Sequence, residues 1–546
     1  MKKALVVFSI FVLMACKPTP SSDKPKLVVV ISIDQMKSEY LTRFNPQLEA
    51  GFKYLLDSGV IFTNAHHNHA TTTTAAGHAT LATGYYPSHN GIVDNTVYNR
   101  TLGFKHYSIE DTTVSFVGID QCELNKVSAQ PLLKPTLGDR VKAADAESKV
   151  YSVALKDRAS ILMGGKNANR AFWFDAASTQ MVSTDYYTEA YPTWAKSFTA
   201  NTTMTKEIEN GWVLDESFVK LPSLTTDSFE VESGSFKPWF PHTIASFDTF
   251  RVRDNQAGSF MWNSPYGDAF VLKFAKKIID EQKLGHDNHT DVLTVGLSAA
   301  DVIGHHFGPN SYEVLDYYNK LDFYLADFIE YLNTAMGQEN YMVVITADHG
   351  VASMPEYLAM NGVDARRIQR AEFTADMAAI NANTMKRYGL TQNLIIKADY
   401  GGVEPNLNLI KANKLDLTEV ITQLTSSIAE LSYIEDAYSH LDIADSTCTK
   451  KFIEKIRNSH RDGYGYFIKL VPRKNYLVDM RAHGTTHGTP YDYDTHVPMI
   501  FKIPGKSAVQ LIDTVQTVDI VPTILSLLGI DTEENFDGSN LTNLLD

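Results

Sequence analysis

The chain has 546 residues, 44% hydrophobic and 21% charged, which is the composition of an ordinary folded protein with room for two or three domains or one large domain with insertions. Its formal net charge of −15 argues against a nucleic-acid partner, because binding a polyphosphate backbone needs a basic face. Any phosphate this protein grips must therefore be held by a local cluster of cations and metals.

Lys2 and Lys3 precede the apolar run 4–15, which is too short to span a bilayer as a mature helix. The run closes in Leu13-Met14-Ala15-Cys16, which resembles a bacterial lipobox. Residues 1–15 are thus expected to be a lipoprotein-type signal peptide. Cys16 would become the lipid-bearing first residue of an exported protein, periplasmic or at the cell surface. Residues 16–25, polar and proline-containing, read as a tether. With Cys16 assigned to the anchor, Cys122 and Cys448 remain, and their positions leave open whether they pair or stay as two thiols.

Residues 26–33 (KLVVVISI) form a nearly continuous β-branched apolar run that ends at Asp34, as a strand buried on both faces does. The pattern recurs at 291–297 before Asp301, at 341–346 before Asp348, and at 497–503. Stretches such as 311–334, with apolar residues at helical spacing, lie between them, so the expected fold class is α/β, a largely parallel sheet flanked by helices. Asp34, Asp301 and Asp348 each fall just past a strand's C-terminal end, where open α/β sheets bind ligands. About 171–264 and about 354–480 break the rhythm and read as insertions forming a cap on one catalytic domain, residues 26–546. Residues 517–529 look like a helix with a proline in its first turn.

Chemistry concentrates in a few segments. Asp301 and His305 are four apart, so a helical turn presents an oxygen and a nitrogen ligand on one face, with His306 turned elsewhere. Asp348-His349-Gly350 leaves a buried strand directly. His483 and His487 are both followed by glycine, and spacing alone does not choose between them. His66, His67 and His69 read as a polar lead-in to the run Thr71-Thr72-Thr73-Thr74-Ala75-Ala76-Gly77-His78. A threonine hydroxyl in that run would attack nothing unless a base or a metal made it an alkoxide.

The ordered series Asp34, Thr74 to Gly84, Asn95, Lys156-Asp157-Arg158, Asp301 to Pro309, Asp348-His349-Gly350, His487-Gly488 and Val518 to Thr523 resembles the alkaline phosphatase superfamily. More narrowly, it resembles the PafA-type single-chain bacterial alkaline phosphatases, cousins of the nucleotide pyrophosphatase/phosphodiesterases. The resemblance implies Thr74 as nucleophile, forming a phosphothreonine, and two Zn²⁺ per chain. One ion would be held by Asp301, His305 and His487, the other by Asp34, Asp348 and His349 with Thr74 Oγ. His487 fits the family segment better than His483 through its trailing Gly-Thr-Pro-Tyr. Asn95, Lys156 and Arg158 match the residues that hold the phosphoryl oxygens. Two fixed cations reward a monoester dianion over a diester, so the implied activity is phosphate monoester hydrolysis by a monomeric enzyme. The alternative is a phosphodiesterase or nucleotide pyrophosphatase of the same superfamily.

Overall fold

The computed structural model describes residues 24–119, 122–216, 224–232, 237–247, 254–478, 481–531 and 534–545. The expected signal peptide and nearly all of the tether lie outside the described residues. Cys122 and Cys448 are not joined in a disulfide.

A ten-stranded sheet forms the centre, in the order Val509–Gln516, Val60–His66, His496–Lys502, Tyr341–Thr346, Leu27–Ile33, Asp291–Leu297, Val150–Ala154, Arg170–Asp175, Gln180–Thr184, Phe116–Val117. The five strands from Tyr341–Thr346 to Arg170–Asp175 run parallel. Leu27–Ile33 lies between Tyr341–Thr346 and Asp291–Leu297, and alternation along it feeds two cores. Leu27, Val29, Ile31 and Ile33 face one core, while Val28 and Val30 face the other. Helices Pro265–Gln282 and Tyr312–Met336 cover the first face, and Thr74–Thr83 and Ile520–Leu527 lie on the second. Burial on both faces is why these strands read as unbroken apolar runs.

The sheet is mixed rather than purely parallel. His496–Lys502 runs antiparallel to both Tyr341–Thr346 and Val60–His66. Its N-terminal end therefore lies at the edge where the parallel strands end, and it brings the loop before it to the same place. Val60–His66, antiparallel to that neighbour, ends at this edge too and feeds the chain toward Thr74.

The expected first insertion begins too early. Residues 170–184, lacking a sustained apolar period, contribute two strands of the main sheet, one parallel to Val150–Ala154 and one folded back antiparallel. Aromatic side chains take the core positions there: Phe172, Trp173 and Phe174 are buried. Within 354–480 the chain builds a four-stranded sheet, Ile395–Asp399, Gly402–Pro405, Ile468–Pro472 and Ile434–Ser439, in that order. Helices Arg370–Tyr388 and Leu417–Ala429 pack on it around a hydrophobic core of its own. The hairpin Thr96–Asn99/Phe104–Tyr107 leans on this second lobe, with Gly465 N donating to Tyr98 O at 2.8 Å and Arg100 N to Gly463 O at 3.0 Å.

Candidate active site

Thr74 is the first residue of helix Thr74–Thr83 and is 1% exposed. At a helix N-terminus the free backbone N–H groups and the macrodipole favour an anion in front of the side chain. Gly77, the third residue after Thr74, is fixed by packing: a Cβ there would stand 2.2 Å from Asp348 O. The helix thus rests directly on the segment that carries Asp348 and His349. His78, in the same turn, approaches Asp348 Oδ2 to 3.2 Å through Nδ1, which also lies 2.8 Å from Thr74 O.

Six expected metal ligands converge at the sheet edge. His305 Nε2 and His487 Nε2 lie 3.3 and 3.4 Å from Asp301 Oδ1. His349 Nε2 lies 3.5 Å from Asp34 Oδ1 and 3.3 Å from Asp348 Oδ2. Ligands about 2.0–2.2 Å from a tetrahedral ion are about 3.4 Å from one another, so these spacings fit shared metals. Ligand atoms of Asp34, Asp348 and His349 form one compact group, and those of Asp301, His349 and His487 form another. His349 thus reaches toward both.

The hydrogen bonding supports the same assignment. Each imidazole is oriented through Nδ1 by a backbone carbonyl: His305 by Thr485 O at 2.8 Å, His349 by Gly350 O at 2.9 Å and His487 by Thr72 O at 2.6 Å. A ring that donates Nδ1–H leaves Nε2 unprotonated and ready to bind a cation. Among the described residues, Asp34 Oδ1, Asp348 Oδ2 and His349 Nε2 are buried with no hydrogen-bond partner. Orphaned polar atoms of this kind are costly unless something positive completes them.

Electrostatics lead to the same demand. Burial and the Asp348 charge push the Asp34 carboxyl well above the usual range, against Lys156. Burial would also raise Asp348, but His349, His78 and Lys156 hold it below that range. Asp301 likewise is held well down, against burial, by His305, Lys156 and His487. Burial drives His349 well below its ordinary value and His305 to about 3, against the pull of Asp348 and Asp301 toward the charged rings. With all three carboxylates ionised against Lys156 and Arg158 the pocket would carry a net negative charge; the raised Asp34 carboxyl reflects that excess, which a divalent cation would neutralise.

Lys156 Nζ bridges Asp34 Oδ2 at 2.7 Å and Asp301 Oδ2 at 2.5 Å, and lies 3.4 Å from Thr74 Oγ1. Burial would lower its pKa, but Asp301 and Asp34 raise it, so the ammonium stays charged. Arg158 Nη2 is 3.5 Å from Thr74 Oγ1, while its Nη1 reaches Tyr107 OH at 3.4 Å. Tyr107 in turn donates to Asp157 Oδ1 at 2.6 Å, and so anchors the guanidinium. Asn95 Oδ1 accepts from Ala75 N at 2.7 Å, which among the described residues leaves its amide N–H groups available as donors one residue from Thr74's own helix start.

The fold separates residues that spacing could not. His483 is exposed, whereas the His487 ring stacks 3.5 Å from that of His349. Gly484 has φ +70° and would clash with His305 O through a Cβ, so the glycine after His483 serves the turn. In the polar lead-in, His67 and His69 are fully buried, and His67 Nε2 meets Ala347 O at 2.9 Å. That contact holds the strand end from which Asp348 emerges.

Gln35 escaped the sequence reading. Its Nε2 donates to Asp301 Oδ1 at 2.7 Å and its N–H to Asp348 Oδ1 at 3.2 Å, from a backbone with φ 66°. A left-handed glutamine costs energy, and here it ties two candidate ligand carboxylates together. Its only signal in sequence was its place directly after Asp34.

A family profile described as type I phosphodiesterase / nucleotide pyrophosphatase matches residues 28–442. The chain is 32% identical over 539 residues to alkaline phosphatase PafA of Elizabethkingia meningoseptica, covering 98% of this chain and 97% of the other. It is 31% identical over 528 residues to alkaline phosphatase PhoV of Synechococcus elongatus, covering 96% and 93%. The crystal structure of wild-type PafA superposes with a TM-score of 0.88 at 30% identity, covering 96% of this chain and 99% of that one. With its strand-end carboxylates, its threonine at a helix N-terminus and this likeness along nearly its whole length, the chain belongs to the type I phosphodiesterase/nucleotide pyrophosphatase family of the alkaline phosphatase superfamily.

Proposed function

We propose that this protein is a zinc-dependent alkaline phosphatase that hydrolyses small phosphate monoesters through a covalent phosphothreonine at Thr74. The observation that carries this reading is the approach of two fixed cations to one buried hydroxyl: Lys156 Nζ at 3.4 Å and Arg158 Nη2 at 3.5 Å from Thr74 Oγ1. A monoester dianion gains more from both than a diester does, because it carries the extra negative charge.

Asp301, His305 and His487 would hold one zinc, and Asp34, Asp348 and His349 with Thr74 Oγ the other. When bound, the ions lower the pKa of the attacking hydroxyl and stabilise charge on the leaving oxygen. Thr74 Oγ bonds to phosphorus in line as the ester P–O bond breaks and the alcohol departs. Arg158 forks two non-bridging oxygens, Lys156 supplies a point charge, and Asn95 donates from its amide. Water then attacks the same phosphorus opposite Thr74, the Thr74 O–P bond breaks, and inorganic phosphate leaves. The helix N-terminus at Thr74 faces the phosphoryl anion throughout.

Hydrolysis of 4-nitrophenyl phosphate at alkaline pH, lost on chelation and restored by zinc, is the expected result. Bis(4-nitrophenyl) phosphate turnover equal to or above it would favour the diesterase alternative. The proposal extends to export of a monomer with a lipid on Cys16, supported by Lys2, Lys3 and the run into Leu13-Met14-Ala15-Cys16. Labelling with radioactive palmitate that persists in Cys16→Ser would refute the anchor.

A further inference from the structure

The phosphoryl site opens into one cleft of ≈ 380 Å³ that is shared between the catalytic floor and the second lobe. Thr73, Asn95 and His487 line its inner end, and Lys469, Asp399 and Tyr466 line its outer wall. An alcohol leaving the phosphorus has this space before it, so the wall residues meet the part of the substrate that the chemistry does not touch.

The cleft is positive on a protein that is negative as a whole. Lys105, Lys469 and Arg481 face it against Asp94 and Asp399. Asp399 is committed: Lys105 Nζ holds its Oδ2 at 2.7 Å, and Gly401 N donates to its Oδ1 at 2.9 Å. Asp94 Oδ1 accepts from Asn95 N at 2.7 Å. Lys469, from strand Ile468–Pro472, reaches across to Thr71 Oγ1, its single hydrogen bond among the described residues. An ammonium has three donors, so two remain for whatever enters. Burial pushes its pKa down to about 8, against the pull of Asp94, which is how an under-neutralised cation behaves. Thr71 lies three residues before Thr74, and three residues span at most about 11 Å. A group a few bonds from the ester oxygen is therefore within reach.

We propose that the second lobe makes a leaving-group subsite in which Lys469 binds an anionic group, such as a carboxylate, carried on the alcohol of the ester. This rests on the phosphomonoesterase reading and names its preferred substrate class: monoesters of acidic alcohols.

The test compares kcat/KM for 3-carboxyphenyl phosphate and phenyl phosphate, esters that differ by one carboxylate, with 3-carbamoylphenyl phosphate as the neutral match for size. The carboxylate to carbamoyl ratio is expected to fall five- to tenfold in Lys469→Met, chiefly through KM, and to be largely restored in Lys469→Arg. Equal losses on all three esters would overturn the subsite and leave Lys469 as a brace for Thr71. A ratio unchanged in Lys469→Met, or no better in Lys469→Arg than in Lys469→Met, would overturn it as well. A zinc-loaded wild type inert toward all three esters would bring down the monoesterase reading and this inference together. An active wild type with equal losses brings down the inference alone.

Discussion

The floor of the site is a row of strand ends. Asp348, Asp34, Asp301 and Lys156 follow four adjacent parallel strands, each within four residues of the last strand position. The cleft wall above is made of a hairpin and a second lobe, where Lys105, Asp399 and Lys469 come from separate elements. Floor residues are buried and fixed by register, and several of their polar atoms lack protein partners. Wall residues are only partly buried, and most are paired with one another. The contrast teaches a division of labour. The sheet edge fixes the positions that phosphoryl chemistry needs to within fractions of an ångström, whereas the wall can vary its side chains without moving the sheet.

Changes to the floor should lower turnover whatever the leaving group, and the largest loss is expected at the proposed nucleophile. Thr74→Ala should lower kcat/KM for phenyl phosphate about 10⁴-fold with little change in thermal midpoint. A loss under tenfold would remove Thr74 from its role. Chelation should come next, with activity falling at least about 10³-fold. It should also lower the melting temperature by several degrees, since ions that bind only the folded chain stabilise it. An unchanged melting temperature would argue against ions in the buried ligand set.

Lys156→Ala with Arg158→Ala should cost about 10²- to 10³-fold on monoesters and about tenfold or less on bis(4-nitrophenyl) phosphate. Equal losses on both ester classes would undo the assignment to monoesters. Gly77→Ala probes the floor's packing rather than its charge. Alanine favours a helix by about 1 kcal/mol, yet its Cβ would overlap the backbone of Asp348, 2.2 Å away. A net loss of about 2–4 kcal/mol in denaturant-derived stability is expected, and a stabilised variant would refute the contact.

The smallest effect belongs to the wall and depends on pH. Lys469 has its pKa lowered to about 8 by burial, so the ammonium is charged below pH 8 and loses its proton as pH rises through that value. The titratable groups facing it are Asp94, His69 and His460, and burial holds both histidines below their ordinary pKa. The carboxylate to carbamoyl ratio should therefore fall a few-fold between pH 7 and 9.5 in the wild type and stay flat in Lys469→Arg. A ratio that rises with pH would reverse the sign and break the comparison between floor and wall.

The central strands and the acids after them can be read from residue order without a structure. A strand buried on both faces must be an unbroken apolar run, so an aspartate that follows one stands out. Asp34, Asp301 and Asp348 stood out for that reason, whereas Thr74, Lys156 and Arg158 were singled out by the resemblance to the alkaline phosphatase superfamily. Tertiary structure alone decided what depends on direction and close approach. Spacing left His483 and His487 open and the resemblance favoured His487; the fold stacks the His487 ring on that of His349 and leaves His483 exposed. Gln35 and His78 touch ligand carboxylates from positions with no periodic signal. The aromatic strands within 170–184 read as an insertion because paired neighbours, not alternation, stabilise them. The cleft wall was hidden for the same physical reason: Thr71 and Lys469 are nearly four hundred residues apart in the chain, and only packing of the second lobe against the sheet makes them neighbours.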